Sequence, residues 1–107
     1  GAAAALVAAS ERPWIVRAVV SRGGRPDLAR DSLPDVEAPT LLVVGSEDLA
    51  VIDFNRDALS KLRCLRRLRI VHGAGHLFEE PGAMAAVSAL AREWFETYLV
   101  GTIGSAG

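Results

Sequence analysis

The stretch Thr40–Val44 constrains the fold of this 107-residue chain more than any other feature. It is a continuous apolar run that follows Pro39 and ends at Gly45, with no alternating polar positions. A strand with one wet face alternates apolar and polar residues, whereas a parallel strand covered on both faces reads as such a run. The run therefore predicts a buried parallel strand inside an α/β domain.

The segments on either side of this run alternate between strand and helix patterns. In chain order the predicted elements are a helix over Ala2–Ser10, a strand over Trp14–Ser21, a polar loop over Arg25–Ala38, the strand described above, a helix over Asp53–Leu62, a strand over Arg67–Val71 with the alternation of a sheet edge, and an amphipathic helix opened by Pro81. This order predicts an α/β fold with about three parallel strands and helices on both faces.

Size and charge limit the classes of protein to which the chain can belong. Residues 1–100 are expected to form one unit and residues 101–107 a disordered tail. The net charge of −1 favours no nucleic-acid partner, and the basic stretch Lys61–Arg69 is interpreted as a solvated helix end. No segment is apolar enough to span a membrane. The single cysteine, Cys64, cannot form an intrachain disulfide, so a cytoplasmic protein is expected.

Two residues with catalytic chemistry follow the second and third predicted strands. Asp48 comes shortly after Val44, and His76 ends the glycine-rich turn His72–His76. Because the carboxyl ends of parallel strands share one edge of a sheet, the two side chains are expected to meet there. A carboxylate that contacts an imidazole fixes its tautomer and stabilises its charged form, which a general base requires.

The same two loops resemble those of a known family. Gly45–Val51 is similar to the acid loop of α/β-hydrolases, G-x-x-D-x-x-V, and Gly75–Phe78 is similar to their histidine loop. The order, acid before histidine, is also the order of that family. Val20–Asp27 and His76–Gly82 resemble dienelactone-hydrolase-type proteins, including bacterial ones fused to a phosphoribosyltransferase.

This resemblance implies the C-terminal part of an α/β-hydrolase, with its strands side by side in chain order. It implies hydrolysis of a small-molecule ester or lactone without metal or cofactor, in which Asp48 orients the histidine and His76 is the base. The family's nucleophile lies in G-x-S-x-G, and Gly1–Leu6 resembles only the end of that turn and the helix after it. The serine is therefore expected upstream, and the chain alone is expected to be an inactive fragment.

The resemblance also has consequences for partners. In the family, the strand that corresponds to Trp14–Ser21 pairs with the nucleophile's strand, so an apolar edge is expected to lie open here. We expect this edge to be covered by a second copy, giving a homodimer, or by an upstream half-domain. Neither a nucleic acid nor a membrane is an expected partner.

Several alternatives stay open at the level of sequence. The chain could be a non-catalytic remnant or a self-associating assembly module. A metal ion could bind to His72 and His76 with Glu79 or Glu80, although the glycines between the histidines disfavour the helix that this spacing uses.

Four other side chains have possible roles in a site. Arg22 and Arg25 could bind a substrate carboxylate as a fork. Ser21 stands at a predicted strand end, but its surroundings do not form a nucleophile turn. Cys64 is interpreted as a small apolar residue near the core rather than as a nucleophile.

Overall fold

The computed structural model describes residues 1–100 of the chain. Its elements are α1 (Ala2–Glu11), β1 (Val19–Arg22), a 3₁₀ segment (Pro26–Asp35), β2 (Thr40–Gly45), α2 (Leu49–Lys61), β3 (Arg66–Val71), α3 (Ala83–Phe95) and a π-helical turn (Glu96–Val100). The predicted disordered tail, residues 101–107, lies outside the described residues. Among residues 1–100, no helix has both the length and the apolar character needed to cross a bilayer.

Within the described part of the chain, three strands form one parallel sheet in the order β1-β2-β3. Leu42 of β2 lies opposite Ser21 on one side and Leu68 on the other. All of β2 is buried, whereas most of β3 is exposed. The predicted partial α/β fold is confirmed, and the Arg-rich alternation correctly identified β3 as an edge strand.

Helices cover both faces of the sheet, and β2 supplies side chains to both layers. On one face, Leu42 packs in a cluster with Leu6 of α1 and Leu62 at the end of α2. On the other face, Leu41 and Val43 pack in a cluster with α3. Full burial of such a side chain is worth about 1.5–3 kcal/mol, so each face of β2 contributes to stability. This two-sided burial is why Leu41–Val44 has no polar position.

β1 is shorter than the predicted strand, because it begins at Val19 and not at Trp14. After α1 ends, the N–H groups of Ile15 and Val16 donate to the carbonyl of Arg12, so the chain turns here instead of extending. The Trp14 side chain is 72% exposed. An apolar pattern alone cannot distinguish such an exposed turn from the start of a buried strand.

Two further boundaries differ from the prediction. The predicted loop Arg25–Ala38 contains the 3₁₀ segment, which buries Leu33 against the α1 side of the sheet. α2 begins at Leu49, before the predicted start at Asp53. Its buried stripe includes Asn55, a fully buried polar residue that interrupts the apolar periodicity on which the prediction depended.

Candidate active site

Asp48 and His76 meet at the carboxyl edge of the sheet. The distance from Asp48 Oδ2 to His76 Nδ1 is 2.8 Å, which is that of a charge-assisted hydrogen bond. Asp48 occupies the N-cap position of α2, yet its carboxylate makes no capping hydrogen bond. Side chains at this position ordinarily accept a hydrogen bond from the first turn of the helix. The carboxylate instead bonds to the imidazole, a contact that a residue serving only to form the turn does not need.

The geometry of this hydrogen bond fixes the proton on the imidazole. An ionised carboxylate only accepts hydrogen bonds, so Nδ1 of His76 carries the hydrogen and donates a hydrogen bond to Asp48. Nε2 then holds a lone pair and is the nitrogen that can accept a proton from a reacting group. The His76 side chain is 59% exposed and that of Asp48 only 14%. The pair therefore has an anchored acid and an accessible base.

The acid loop and the histidine turn approach closely at Gly45. A Cβ at this position would lie 2.2 Å from the carbonyl oxygen of Ala74, so only glycine fits. Just beyond it, the Glu47 N–H donates to the same carbonyl at 2.9 Å, and the Ser46 N–H donates to the carbonyl of Val71 at 3.0 Å. The ends of β2 and β3 thus continue to bond beyond the sheet, which brings Asp48 within reach of the imidazole.

The turn that carries His76 is held by side chains as well as by backbone. The Gly73 N–H donates to Ser46 Oγ at 2.7 Å, and the Gly75 N–H donates to Glu80 Oε1 at 3.1 Å. Phe78 is buried and has a φ of 53°, a left-handed conformation that is rare for a bulky residue. Such backbone strain costs on the order of 1–3 kcal/mol and is common where a site requires it.

A pocket of about 210 Å³ lies beside the imidazole. It is lined by Arg22, Gly23, His76, Leu77, Phe78 and Met84. Gly23 has a φ of +59° and lies against the histidine turn, because a Cβ there would be 3.2 Å from the carbonyl oxygen of His76. The guanidinium of Arg22 contacts the Met84 sulfur at 3.5 Å. The pocket therefore has apolar walls, one cation and the base.

Arg25, the second member of the proposed carboxylate fork, is not in this pocket. Its guanidinium forms two hydrogen bonds of 2.9 Å with Asp27 and lies 3.6 Å from the centre of the Phe54 ring. The hydrogen bond from Arg25 holds the pKa of the Asp27 carboxyl below its ordinary value, and the same bond raises the pKa of Arg25. The fork hypothesis is therefore wrong for Arg25, while Arg22 remains beside His76.

Ser21 is placed as a core residue. Its side chain is 3% exposed, and Oγ has no hydrogen-bond partner within residues 1–100, so it makes no bond to His76. Cys64 is half-buried, and its sulfur lies 3.9 Å from Thr40 Oγ1. It makes no hydrogen bond to the imidazole. Within the described part of the chain, no hydroxyl or thiol is hydrogen-bonded to the imidazole.

The four candidate metal ligands are not gathered into one site. Among residues 1–100, no three His, Cys, Asp or Glu side chains are placed to hold a metal ion. His72 lines a separate groove between β3 and α3, and Glu80 bonds to the backbone of Gly75. Sequence reasoning did not single out the acceptor roles of Glu80 and Ser46. The Ser46 contact has no local motif because it depends on the approach of two loops, whereas Glu80 bonds to a residue five positions earlier in its own turn.

A solved structure and two curated proteins are similar to this chain. The crystal structure of a dienelactone hydrolase from Anabaena variabilis matches with a TM-score of 0.91 and 64% identity, covering 92% of this chain and 46% of that one. Two proteins of Mycobacterium tuberculosis, from strains CDC 1551 and H37Rv, are each named putative phosphoribosyl transferase. Each is 54% identical over 101 residues, which is 94% of this chain and 23% of the relative. No protein-family model matches the chain.

The chain thus spans less than half of the solved hydrolase and about a quarter of the curated relatives. The fold, the sheet order and the match to the solved hydrolase agree with the resemblance seen in the sequence. They are also consistent with its interpretation as a C-terminal part. In sequence and in fold, the chain is similar to part of a dienelactone hydrolase, as the resemblance implied.

Proposed function

We propose that this chain supplies the acid and the base of a Ser-His-Asp-type hydrolase that acts on esters or lactones. The observation that carries the proposal is the 2.8 Å contact between Asp48 and His76 at neighbouring strand ends. A contact between a carboxylate and Nδ1 of an imidazole is the one that the acid and histidine of a catalytic triad make, which supports the proposal. The pocket of about 210 Å³ beside the imidazole gives room for a small acyl group.

The chemistry of the pair follows from its geometry. Nε2 of His76 removes the proton from a nucleophile hydroxyl as the oxygen attacks the substrate carbonyl, and Asp48 stabilises the imidazolium that forms. The same nitrogen then returns the proton to the leaving alcohol or ring oxygen. In the second half, Nε2 activates a water that releases the acid. The nucleophile is proposed to lie in sequence outside residues 1–100.

The nucleophile requires a partner segment. On the outer side of β1, the described residues provide no further strand. The neighbouring Trp14 and Ile15 are 72% and 60% exposed. We propose that an upstream half-domain covers this edge. A second copy of the chain is the alternative partner. The one cysteine is compatible with a reducing compartment, so the proposed location is the cytoplasm.

Two chemical classes are suggested by the names of the relatives, and the observations favour the hydrolase. The name phosphoribosyl transferase belongs to proteins of which this chain covers only 23%. The solved hydrolase, in contrast, is similar over 92% of this chain. Arg22 at the pocket is proposed to favour ester substrates that also carry a carboxylate.

A chimera tests the proposal. Residues 1–100 replace the matching 46% of the Anabaena variabilis hydrolase, and release of p-nitrophenol from a short-chain ester is measured. We expect hydrolysis by the chimera and a loss on the order of 10³-fold or more in kcat for His76→Ala. His72→Ala is the matched control, because His72 is exposed and lies in the separate groove. It should retain full activity.

Two results would contradict the proposal. The first is a chimera that is folded by circular dichroism but hydrolyses nothing, while the parent enzyme is active. The second is a His76→Ala chimera as active as the unsubstituted one. Treatment of the chain alone with a fluorophosphonate adds to the test. Its intact mass of 11.3 kDa should not change, because the serine nucleophile is proposed to lie elsewhere.

A further inference from the structure

We propose that Glu80 and Ser46 are positioning residues that orient His76 toward Asp48. The inference rests on the proposed function, since it assigns a role in the same acid–base pair. Both side chains accept a backbone N–H from the turn that carries His76, and within the described residues neither makes a hydrogen bond to the imidazole. Their role is therefore to hold the turn, and they take no part in proton transfer.

Glu80 connects the histidine turn to α3. Its Oε1 accepts the N–H of Gly75, the residue directly before His76, at 3.1 Å. Its own carbonyl oxygen accepts the N–H of Ala83, the first residue of α3, at 3.0 Å. One residue thus links the start of a packed helix to the peptide that precedes the base. A carboxylate acceptor makes this bond stronger than one to a neutral oxygen.

Ser46 makes the matching connection to the acid. Its Oγ accepts the Gly73 N–H at 2.7 Å, and it stands two residues before Asp48. Gly73 has a φ of +79°, so this part of the turn has the wide conformational freedom of glycine. A fixed acceptor selects one conformer of the turn. The two side chains together therefore hold the backbone on both sides of Ala74, where the acid loop makes its closest approach.

The exposure of these bonds separates orientation from stability. Both hydrogen bonds lie at the surface, so water can replace the acceptor when either side chain is removed. The free energy of unfolding should then change little, whereas the turn should sample conformers in which His76 points away from Asp48. A merely structural residue would show the opposite behaviour, with lost stability and an unchanged imidazole.

Nuclear magnetic resonance of the ¹⁵N-labelled 107-residue chain tests this inference. The readout is the Nδ1–H resonance of His76 and the ¹⁵N shifts that report its tautomer, with Asp48→Asn as the reference for a disrupted pair. For Glu80→Ala and Ser46→Ala we expect the Nδ1–H exchange rate to rise about fivefold, with a larger rise in the double variant. Glu80→Gln retains an acceptor oxygen and should restore the wild-type signal.

Matched controls come from the same chain. Glu79→Ala removes the adjacent carboxylate and Ser88→Ala an exposed serine of α3. Neither side chain makes a hydrogen bond within residues 1–100, so both variants should leave the signal unchanged. The inference is overturned if Glu80→Ala leaves the exchange rate within twofold of wild type, or if Glu79→Ala has an equal effect. If Glu80→Ala unfolds the chain, Glu80→Gln takes its place in the test. A Glu80→Gln chain whose Nδ1–H signal differs from that of wild type also overturns the inference.

The two proposals fail separately. The resonance experiment needs no substrate and no nucleophile, so an inactive chimera leaves its outcome intact. Conversely, an unchanged Nδ1–H in Glu80→Ala removes the positioning role, while hydrolysis by the chimera still reports on Asp48 and His76.

Discussion

Two corners at the carboxyl edge of the sheet differ in how completely their polar groups are partnered. The acid–histidine corner, residues 45–48 and 72–80, is connected by backbone and side-chain hydrogen bonds between its two loops and within the histidine turn. The β1 corner, residues 21–24 with Asn55 of α2, is bonded less fully. There Asn55 Nδ2 donates to the carbonyls of Gly24 and Val51, but Asn55 Oδ1 and Ser21 Oγ have no partner within residues 1–100.

This difference shows which part of the site the chain organises by itself. Buried polar atoms are nearly always hydrogen-bonded, and a buried unpaired group costs about 1–3 kcal/mol. The acid–histidine corner satisfies its groups from its own residues, so the contact between Asp48 and His76 can form without a partner. The β1 corner does not, and it adjoins the start of α1, where a Cβ on Gly24 would meet Ala2.

The largest expected effect comes from removing the charge of the acid. In the chimera, Asp48→Asn keeps the size of the side chain but lets its amide donate to Nδ1, which favours the wrong tautomer of His76. We expect kcat to fall on the order of 10³–10⁴-fold with a nearly unchanged KM, measured with the p-nitrophenyl ester. Asp53→Asn on the exposed side of α2 is the control and should retain activity. Equal rates for the two variants would remove the acid–histidine corner from the mechanism.

The second effect compares one glycine from each corner. Gly45→Ala places a Cβ 2.2 Å from a backbone carbonyl oxygen, whereas Gly24→Ala places one 2.7 Å from the Ala2 methyl and 2.8 Å from Ser21 Oγ. The backbone of Ala74 is held by hydrogen bonds and cannot easily move away from a new methyl group, whereas the first residues of α1 can. Urea unfolding should show a loss of about 2–3 kcal/mol for Gly45→Ala and a smaller loss for Gly24→Ala. The reverse order would show that the β1 corner is the more rigid one.

Much of the architecture was accessible from sequence because it depends on local patterns. The apolar run of β2 identified a two-sided strand, and the Arg-rich alternation placed β3 at the edge. Asp48 and His76 were identified because short loops after parallel strands converge at one edge. These signals need no knowledge of which elements pack against each other.

The remaining features depend on tertiary contacts that leave no local trace. Trp14 is apolar yet exposed in a turn, and Asn55 is polar yet buried on α2. The acceptor role of Ser46 arises only when the two loops approach. Trp14 and Asn55 depart from the rule that apolar groups are inside and polar groups outside, so a pattern built on that rule misplaces them.

The third effect compares a serine from each corner. Ser21→Ala removes a buried hydroxyl without a partner, so it should leave stability unchanged or raise it by up to about 1 kcal/mol. Ser46→Ala removes an exposed acceptor and should lower stability by less than about 1 kcal/mol. Paired urea curves at one pH measure both. A clear loss of stability in Ser21→Ala would mean that this hydroxyl has a bonding partner after all.

The smallest effect is the pH dependence contributed by the ion pair next to the β1 corner. The bond from Arg25 lowers the folded-state pKa of Asp27, so its contribution to stability is complete above about pH 4, the ordinary range of an aspartate. It is lost as the pH falls through the lowered value. The difference in urea midpoint between wild type and Asp27→Asn should therefore be largest near neutral pH and vanish in acid. A difference that grows on acidification would contradict the sign.

The contact at Gly45 also bears on how such proteins change over time. A Cβ on Gly45 would lie against the backbone of Ala74 and Gly75, although nearly thirty residues of sequence separate the two places. A side chain at position 45 is therefore tolerated only if the backbone of the histidine turn moves. Among relatives of this chain, a change at position 45 should accompany a change in the conformation of that turn. A relative with a side chain at position 45 should have a turn of different conformation before its histidine.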